Sequence, residues 1–235
     1  MTAPLPDLSR SSPTKVAGIV DLGYITNDEQ SEKGSHLKTP AQEKKAGVKE
    51  QGTTPEQQAM KPVYLLTGRP GTGKTSLIKQ AIAGVKVKAG GFYTEEIRSQ
   101  GVRQGFRLVT LDGRSATLAH INIHSPYRVS KYGVDIASLD EVGVSALNQA
   151  SQECDLVVVD EIGKMELFSV KFRDAIENIL NSGKRLLGTI MLSPHPYADA
   201  IKHQPQVNLI MVTRTNHQQV LEELRDWLSA TQHKL

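Results

Sequence analysis

Eight consecutive residues, Gly68-Arg69-Pro70-Gly71-Thr72-Gly73-Lys74-Thr75, match the phosphate-binding pattern G-x-x-x-x-G-K-S/T at every fixed position. Glycines let the backbone curl so that successive N–H groups point at phosphate oxygens. A helix starting near Lys74 adds the partly positive end of its dipole. Lys74 is expected to reach the β- and γ-phosphates of a nucleotide, and the Thr75 hydroxyl to ligate Mg²⁺. The phosphate-contacting set is therefore Gly68, Arg69, Pro70, Gly71, Thr72, Gly73, Lys74, Thr75 and Ser76.

A second segment supplies the acids. Asp155-Leu156-Val157-Val158-Val159-Asp160-Glu161 is an apolar run that ends in two carboxylates. In this Walker B arrangement Asp160 holds Mg²⁺, directly or through a water. An acid at that depth is costly unless paired, and a metal–phosphate complex supplies the partner. Glu161, one residue further, is positioned to orient or deprotonate an attacking water. Lys74 and Glu161 are the expected catalytic pair, and Thr75 and Asp160 the expected metal ligands.

Other charged residues have two readings each. Arg69, Arg98 and Arg128 are either transition-state cations or ordinary surface ion pairs. Lys164 follows the acidic segment and has the same two readings. Glu166 is either a partner of Lys164 or an acid at a helix start. Residues 99–120 contain Arg103, Arg107 and Arg114, so they have the cations of a mobile lid. The histidines show no metal-ligand spacing, and Cys154 reads as a small apolar residue.

The flanking segments can position these groups. Residues 63–66 form a short apolar run before the glycine-rich loop, read as a buried strand, and residues 75–83 have helical spacing. Further strands are expected at 86–94, at 105–111 with 116–121 as a hairpin around Asp112-Gly113, at 134–136, 155–160, 186–192 and 207–212. Helices are expected at 139–150, at 170–180 ended by Gly183, near 198–202, and from Asn216 as N-cap to the end. Strands alternating with helices predict a mostly parallel sheet wrapped on both faces, with the ligand at the carboxyl ends of the strands.

The chain has 235 residues, a net charge of +3 and one cysteine. The weak charge makes no case for nucleic acid or an anionic membrane. No run is long and apolar enough to span a membrane, and a single cysteine suits a reducing, cytoplasmic setting. Residues 1–60 are rich in Lys, Glu, Gln, Ser, Thr, Pro and Gly, so a disordered tail is expected there, with one apolar patch at 16–20. The folded domain is expected over 61–235, as a monomer.

Three stretches together resemble the thermophile-type nucleoside-triphosphatase family, which includes the cancer-related nucleoside-triphosphatase of animals. They are the phosphate-binding loop, Gly90-Gly91-Phe92-Tyr93-Thr94-Glu95-Glu96-Ile97-Arg98, and Val159-Asp160-Glu161-Ile162-Gly163-Lys164-Met165-Glu166-Leu167. The resemblance covers about 63–228. It implies a three-layer α/β P-loop NTPase fold with an inserted hairpin, and a Mg²⁺-dependent hydrolase of ATP, GTP and other nucleoside triphosphates with loose base preference. Where the family often shows Glu-Asn-Arg before the last helix, this chain has Thr215-Asn216-His217. Two alternatives share the loop: a nucleotide or nucleoside kinase, and a nucleotide-gated binding switch.

Overall fold

The computed structural model describes residues 60–230. Apart from Met60, the expected tail and its patch at 16–20 lie outside the described residues. In chain order the elements are β1 (Val63–Thr67), α1 (Lys74–Ala83), β2 (Ala89–Ser99), β3 (Val102–Thr110), β4 (Ser115–His120), β5 (Arg128–Val129) and β6 (Tyr132–Val134). There follow α2 (Ile136–Ser138), a π-helical turn (Leu139–Val144), α3 (Ser145–Glu153), β7 (Leu156–Ile162), a 3₁₀ turn (Glu166–Phe168), α4 (Val170–Asn181), β8 (Arg185–Ile190), α5 (Pro196–Lys202), β9 (Val207–Met211) and α6 (His217–Ser229).

The strands form one sheet in the order β5-β6-β4-β3-β2-β7-β8-β1-β9. From β2 to β9 every neighbouring pair is parallel. The runs in β1, β7 and β8 are apolar at successive positions because both faces are covered. Side chains alternate across a strand, so Leu65, Val157 and Val159 join one core with α3, α4 and α5. Leu66, Leu156 and Val158 join the other with α1 and α6. The expected three layers are present. The insertion, however, is larger than a hairpin: β3, β4, β6 and β5 make an antiparallel arm on the β2 edge. Residues 134–136 are not a strand of their own. β6 stops at Val134, and the Asp135 carboxylate accepts the Ser138 N–H at 3.0 Å to start α2.

α4 follows the sequence pattern closely. Ser169 Oγ accepts the Phe172 N–H at 3.0 Å as N-cap, and Phe172, Ile176 and Ile179 face the core. Asn216 sits at the N-cap position of α6 but does not cap it. Its side chain turns back, accepting from Thr213 N–H at 2.9 Å and donating to the Met211 carbonyl at 2.8 Å. That arrangement fixes the 213–216 turn instead, beside the glycine-rich loop. Among the described residues no helix is long and apolar enough to cross a membrane.

Candidate active site

The loop between β1 and α1 lies at the carboxyl end of the parallel strands. Gly68 has φ +148°, and a Cβ there would stand 2.5 Å from the Val212 carbonyl oxygen. Gly73 has φ +80° and lies against His217, whose ring carbon would be 2.6 Å from a Cβ. Only glycine combines that backbone with that closeness. Thr72 closes the turn, its N–H and hydroxyl both donating to the Arg69 carbonyl, at 3.3 and 2.9 Å. Lys74 Nζ donates to the Gly68 and Arg69 carbonyls at 3.1 and 3.4 Å, so the ammonium arches over the loop. The His217 ring nitrogen bonds the Thr72 carbonyl, tying the start of α6 to the loop. Ser76 is exposed on α1.

Asp160 lies near the carboxyl end of β7, only 3% exposed. Its Oδ1 accepts the Thr189 hydroxyl of β8 at 2.6 Å, and its Oδ2 is buried with no hydrogen-bond partner. Burial raises its pKa, while the Thr189 and Thr75 hydroxyls and the Lys74 ammonium pull the other way. The backbone is pinned as well, since the Thr94 hydroxyl donates to the Asp160 carbonyl at 2.6 Å. The Asp160–Glu161 peptide bond is cis.

Glu161 lines a cavity of about 390 Å³ with Gly68, Pro70, Lys74, Lys164 and Glu166. Burial lifts its pKa, opposed by Lys74 and reinforced by Asp160. Glu166 is the unexpected member. It is the acid at the start of the 3₁₀ turn rather than a partner of Lys164, but it is only 4% exposed, and no cation pairs with it among the described residues. Burial, then the neighbouring Glu161, push its pKa to about 8. The Glu161 and Glu166 side chains flank Gly163: a Cβ there would lie 3.3 Å from the Glu161 carboxyl carbon and 3.0 Å from Glu166 Oε2. Its surroundings thus favour the protonated carboxyl on the wall of the cavity.

The arginines sort differently from Lys164. Arg98 pairs with Glu96 at 2.5 Å, and Arg128 donates to the Ile123 and Lys131 carbonyls at 3.4 and 2.9 Å; neither lines the Glu161 cavity. Arg103, Arg107 and Arg114 pair with Glu96, Glu95 and Asp112, and they lie in or beside the strands of the antiparallel arm. Residues 99–120 thus form strands and turns of the sheet, with these arginines engaged by acids of the same arm. Arg69 lines a second cavity, about 650 Å³, with Thr72, Leu192, Met211, Thr213 and Arg214, and Leu192 borders the Glu161 cavity as well. Pro70 borders both cavities.

Sequence reasoning gave no role to Thr94 or Thr189, and named His217 only within the Thr215-Asn216-His217 departure from the family pattern. Thr189 had a signal: it is the polar residue near the carboxyl end of an otherwise apolar strand. Among the described residues no His, Cys, Asp and Glu cluster has the makings of a multi-ligand metal site. A metal here would draw its ligands from Thr75, Asp160 and the phosphates, and the unpartnered Asp160 Oδ2 fits that donor set.

The sequence model of the NTPase family matches residues 63–225. A Thermotoga maritima protein named nucleoside-triphosphatase THEP1 is 47% identical over 160 residues, which span 68% of this chain and 91% of that protein. The crystal structure of THEP1 from the hyperthermophile Aquifex aeolicus superposes with a TM-score of 0.66 at 34% identity, covering 71% of this chain and 99% of that one. The solution structure of a human cancer-related nucleoside triphosphatase gives 0.60 at 36% identity, over 72% of this chain and 97% of its own.

Proposed function

The chain belongs to the NTPase family, and from that premise we propose that it is a Mg²⁺-dependent nucleoside-triphosphatase acting at the 68–75 loop. The observation that carries the proposal is the buried, half-partnered Asp160 beside Thr75 and Lys74, with Glu161 facing the same cavity as the loop.

The triphosphate lies along the loop, where backbone N–H groups and the Lys74 ammonium hold the β- and γ-phosphate oxygens. Thr75 and Asp160 hold Mg²⁺, and Thr189 aims the Asp160 carboxylate by its hydrogen bond. When bound, the ion offsets negative charge on the phosphates. Glu161 orients the attacking water and takes its proton. Lys164, on the same cavity wall, adds positive charge where the γ-phosphate oxygens gather it. Glu166, neutral, keeps a second negative charge out of that cavity.

The base occupies the second cavity, between Leu192 and Met211 on one side and Arg214 on the other. The Thr213 hydroxyl is already engaged with Thr215 and Asn216. The other polar side chains there, Arg69, Thr72 and Arg214, include two guanidiniums, which accept no hydrogen bond from a base and donate to a carbonyl or ring nitrogen of any of them. Apolar contact from Leu192 and Met211 beside donors common to all bases supports a broad base preference, with ATP and GTP both substrates.

The experiment is phosphate release from ATP, GTP, CTP and UTP with Mg²⁺, with chelator, and with Lys74→Ala. Expected rates for the four nucleotides fall within about tenfold of one another. Both controls fall by roughly a hundredfold or more, the scale for removing one group that stabilises transferring charge. Undiminished release by Lys74→Ala overturns the proposal.

A further inference from the structure

The Glu161 cavity does not end at its own wall. It shares Phe106, Val129 and Met165 with a recess of about 560 Å³ that runs outward along the antiparallel arm. One face of β2 leads from one to the other. Thr94 lines the inner cavity, Glu96 follows, and Arg98 lines the recess. On β3, Phe106 pairs with Glu96, and Arg103 with Arg98.

The recess is cationic beyond its own needs. Arg98 and Arg103 share a single carboxylate, Glu96, at 2.5 and 2.6 Å. Lys131 has no acidic partner among the described residues and stands 5.5 Å from the Tyr132 ring centre. Arg103 is held in place, donating to the Tyr132 hydroxyl at 3.2 Å with its guanidinium 5.2 Å from the Phe106 ring centre. Packed and hydrogen-bonded on a rigid strand, it presents a preorganised cation rather than a free surface chain. The floor between the cations is apolar, made by Phe106, by Met165 and by Val102, which is 56% exposed. A volume of this size suits a small molecule, and the charge asks for an anionic one.

We propose that this recess seats a second substrate, a phosphomonoester, and that the protein transfers the γ-phosphoryl group to it. The proposal rests on the triphosphate reading above. The anionic end lies against Arg103 and Lys131, and the body crosses Phe106 toward Glu161. An oxygen of the bound molecule, bearing a proton, attacks the γ-phosphorus and forms the new O–P bond. The bond from that phosphorus to the β,γ-bridging oxygen breaks, its electron pair leaving with the nucleoside diphosphate. The proton passes to the Glu161 carboxylate. Water does the same chemistry when the recess is empty of an acceptor. Because β3 and its pairing with β2 already set Arg98 and Arg103 beside the recess, the site needs no separate arginine-bearing lid.

The test uses the full chain with Mg²⁺ and γ-labelled ATP, with two sets of acceptors: the four common nucleoside monophosphates, and hexose and pentose phosphates. Label transferred to members of one set, at a rate at least tenfold above hydrolysis, is the expected result and identifies the source of the phosphomonoester. Lys131→Glu and Arg103→Gln should each lower transfer at least tenfold while basal hydrolysis stays within about twofold, because neither side chain lines the Glu161 cavity. Thermal melts of both variants establish that they are folded. No transfer with either set overturns the proposal, as does inhibition without transfer, or transfer that both variants retain. Basal hydrolysis that depends on Lys74 would survive any of these failures, so they leave the triphosphatase reading intact.

Discussion

Replacing Glu166 by Gln removes a buried carboxyl but keeps its shape. The ordinary pKa of 4.5 governs the unfolded chain, whereas the folded value is about 8. Between those values the folded chain keeps a proton that the unfolded chain has released, so stability falls as pH rises across the window. One proton of difference amounts to about 1.4 kcal/mol per pH unit. From about pH 5.5 to about pH 7.5, the wild type should therefore lose about 2.5 kcal/mol that Glu166→Gln keeps. Near pH 3.5 the side chain at this position is neutral in both proteins, folded and unfolded, and the two should have similar stability. Asp160 and Glu161, also shifted upward, leave the variant a residual slope of the same sign. Urea denaturation at half-unit pH steps, in chelator, measures the gap directly. Parallel pH profiles for the two proteins would refute the reasoning, because they would mean that Glu166 titrates alike folded and unfolded.

Two further perturbations probe the loop and the metal ligand. Thr189→Val exchanges a buried hydroxyl for a methyl and leaves Asp160 Oδ1 without its 2.6 Å donor. The Mg²⁺ concentration for half-maximal hydrolysis should rise about 10- to 100-fold, the usual effect of losing a group that orients a ligand, and an unchanged value would count against Asp160 as the metal residue. Gly73→Ala forces a side chain to adopt φ +80° against the His217 ring; strain of about 1–3 kcal/mol should weaken nucleotide binding by thermal shift, and an undiminished shift would show that the loop tolerates a Cβ there.

Much of this architecture can be read from local patterns. Val157, Val158 and Val159 are β-branched and apolar in succession, which suits a strand covered on both faces, and with the alternating helices that gives a three-layer arrangement. The loop glycines are equally local signals. Other features depend on neighbours far along the chain. The turn joining β2 to β3 uses Gln100 at φ 48° and Gly101 at φ 78°, in a polar stretch with no alternation strong enough to mark a hairpin. The antiparallel arm was therefore read as one hairpin instead of a four-strand extension. Glu166 sits in Met165-Glu166-Leu167, which looks like any helix start; its burial comes from packing against the Gly163 turn and the Glu161 side chain. The His217 contact with the Thr72 carbonyl joins positions 145 residues apart, beyond any local spacing rule.

The central claim is that Glu161 prepares the attacking water at a loop that binds the triphosphate independently of it. Single-turnover phosphate release by Glu161→Gln, together with its nucleotide affinity, tests that claim. Release should slow by roughly 10² to 10⁴-fold, the range for a positioned general base, with affinity for ATP changed by less than about threefold. Release at the wild-type rate with ATP fully bound would contradict it.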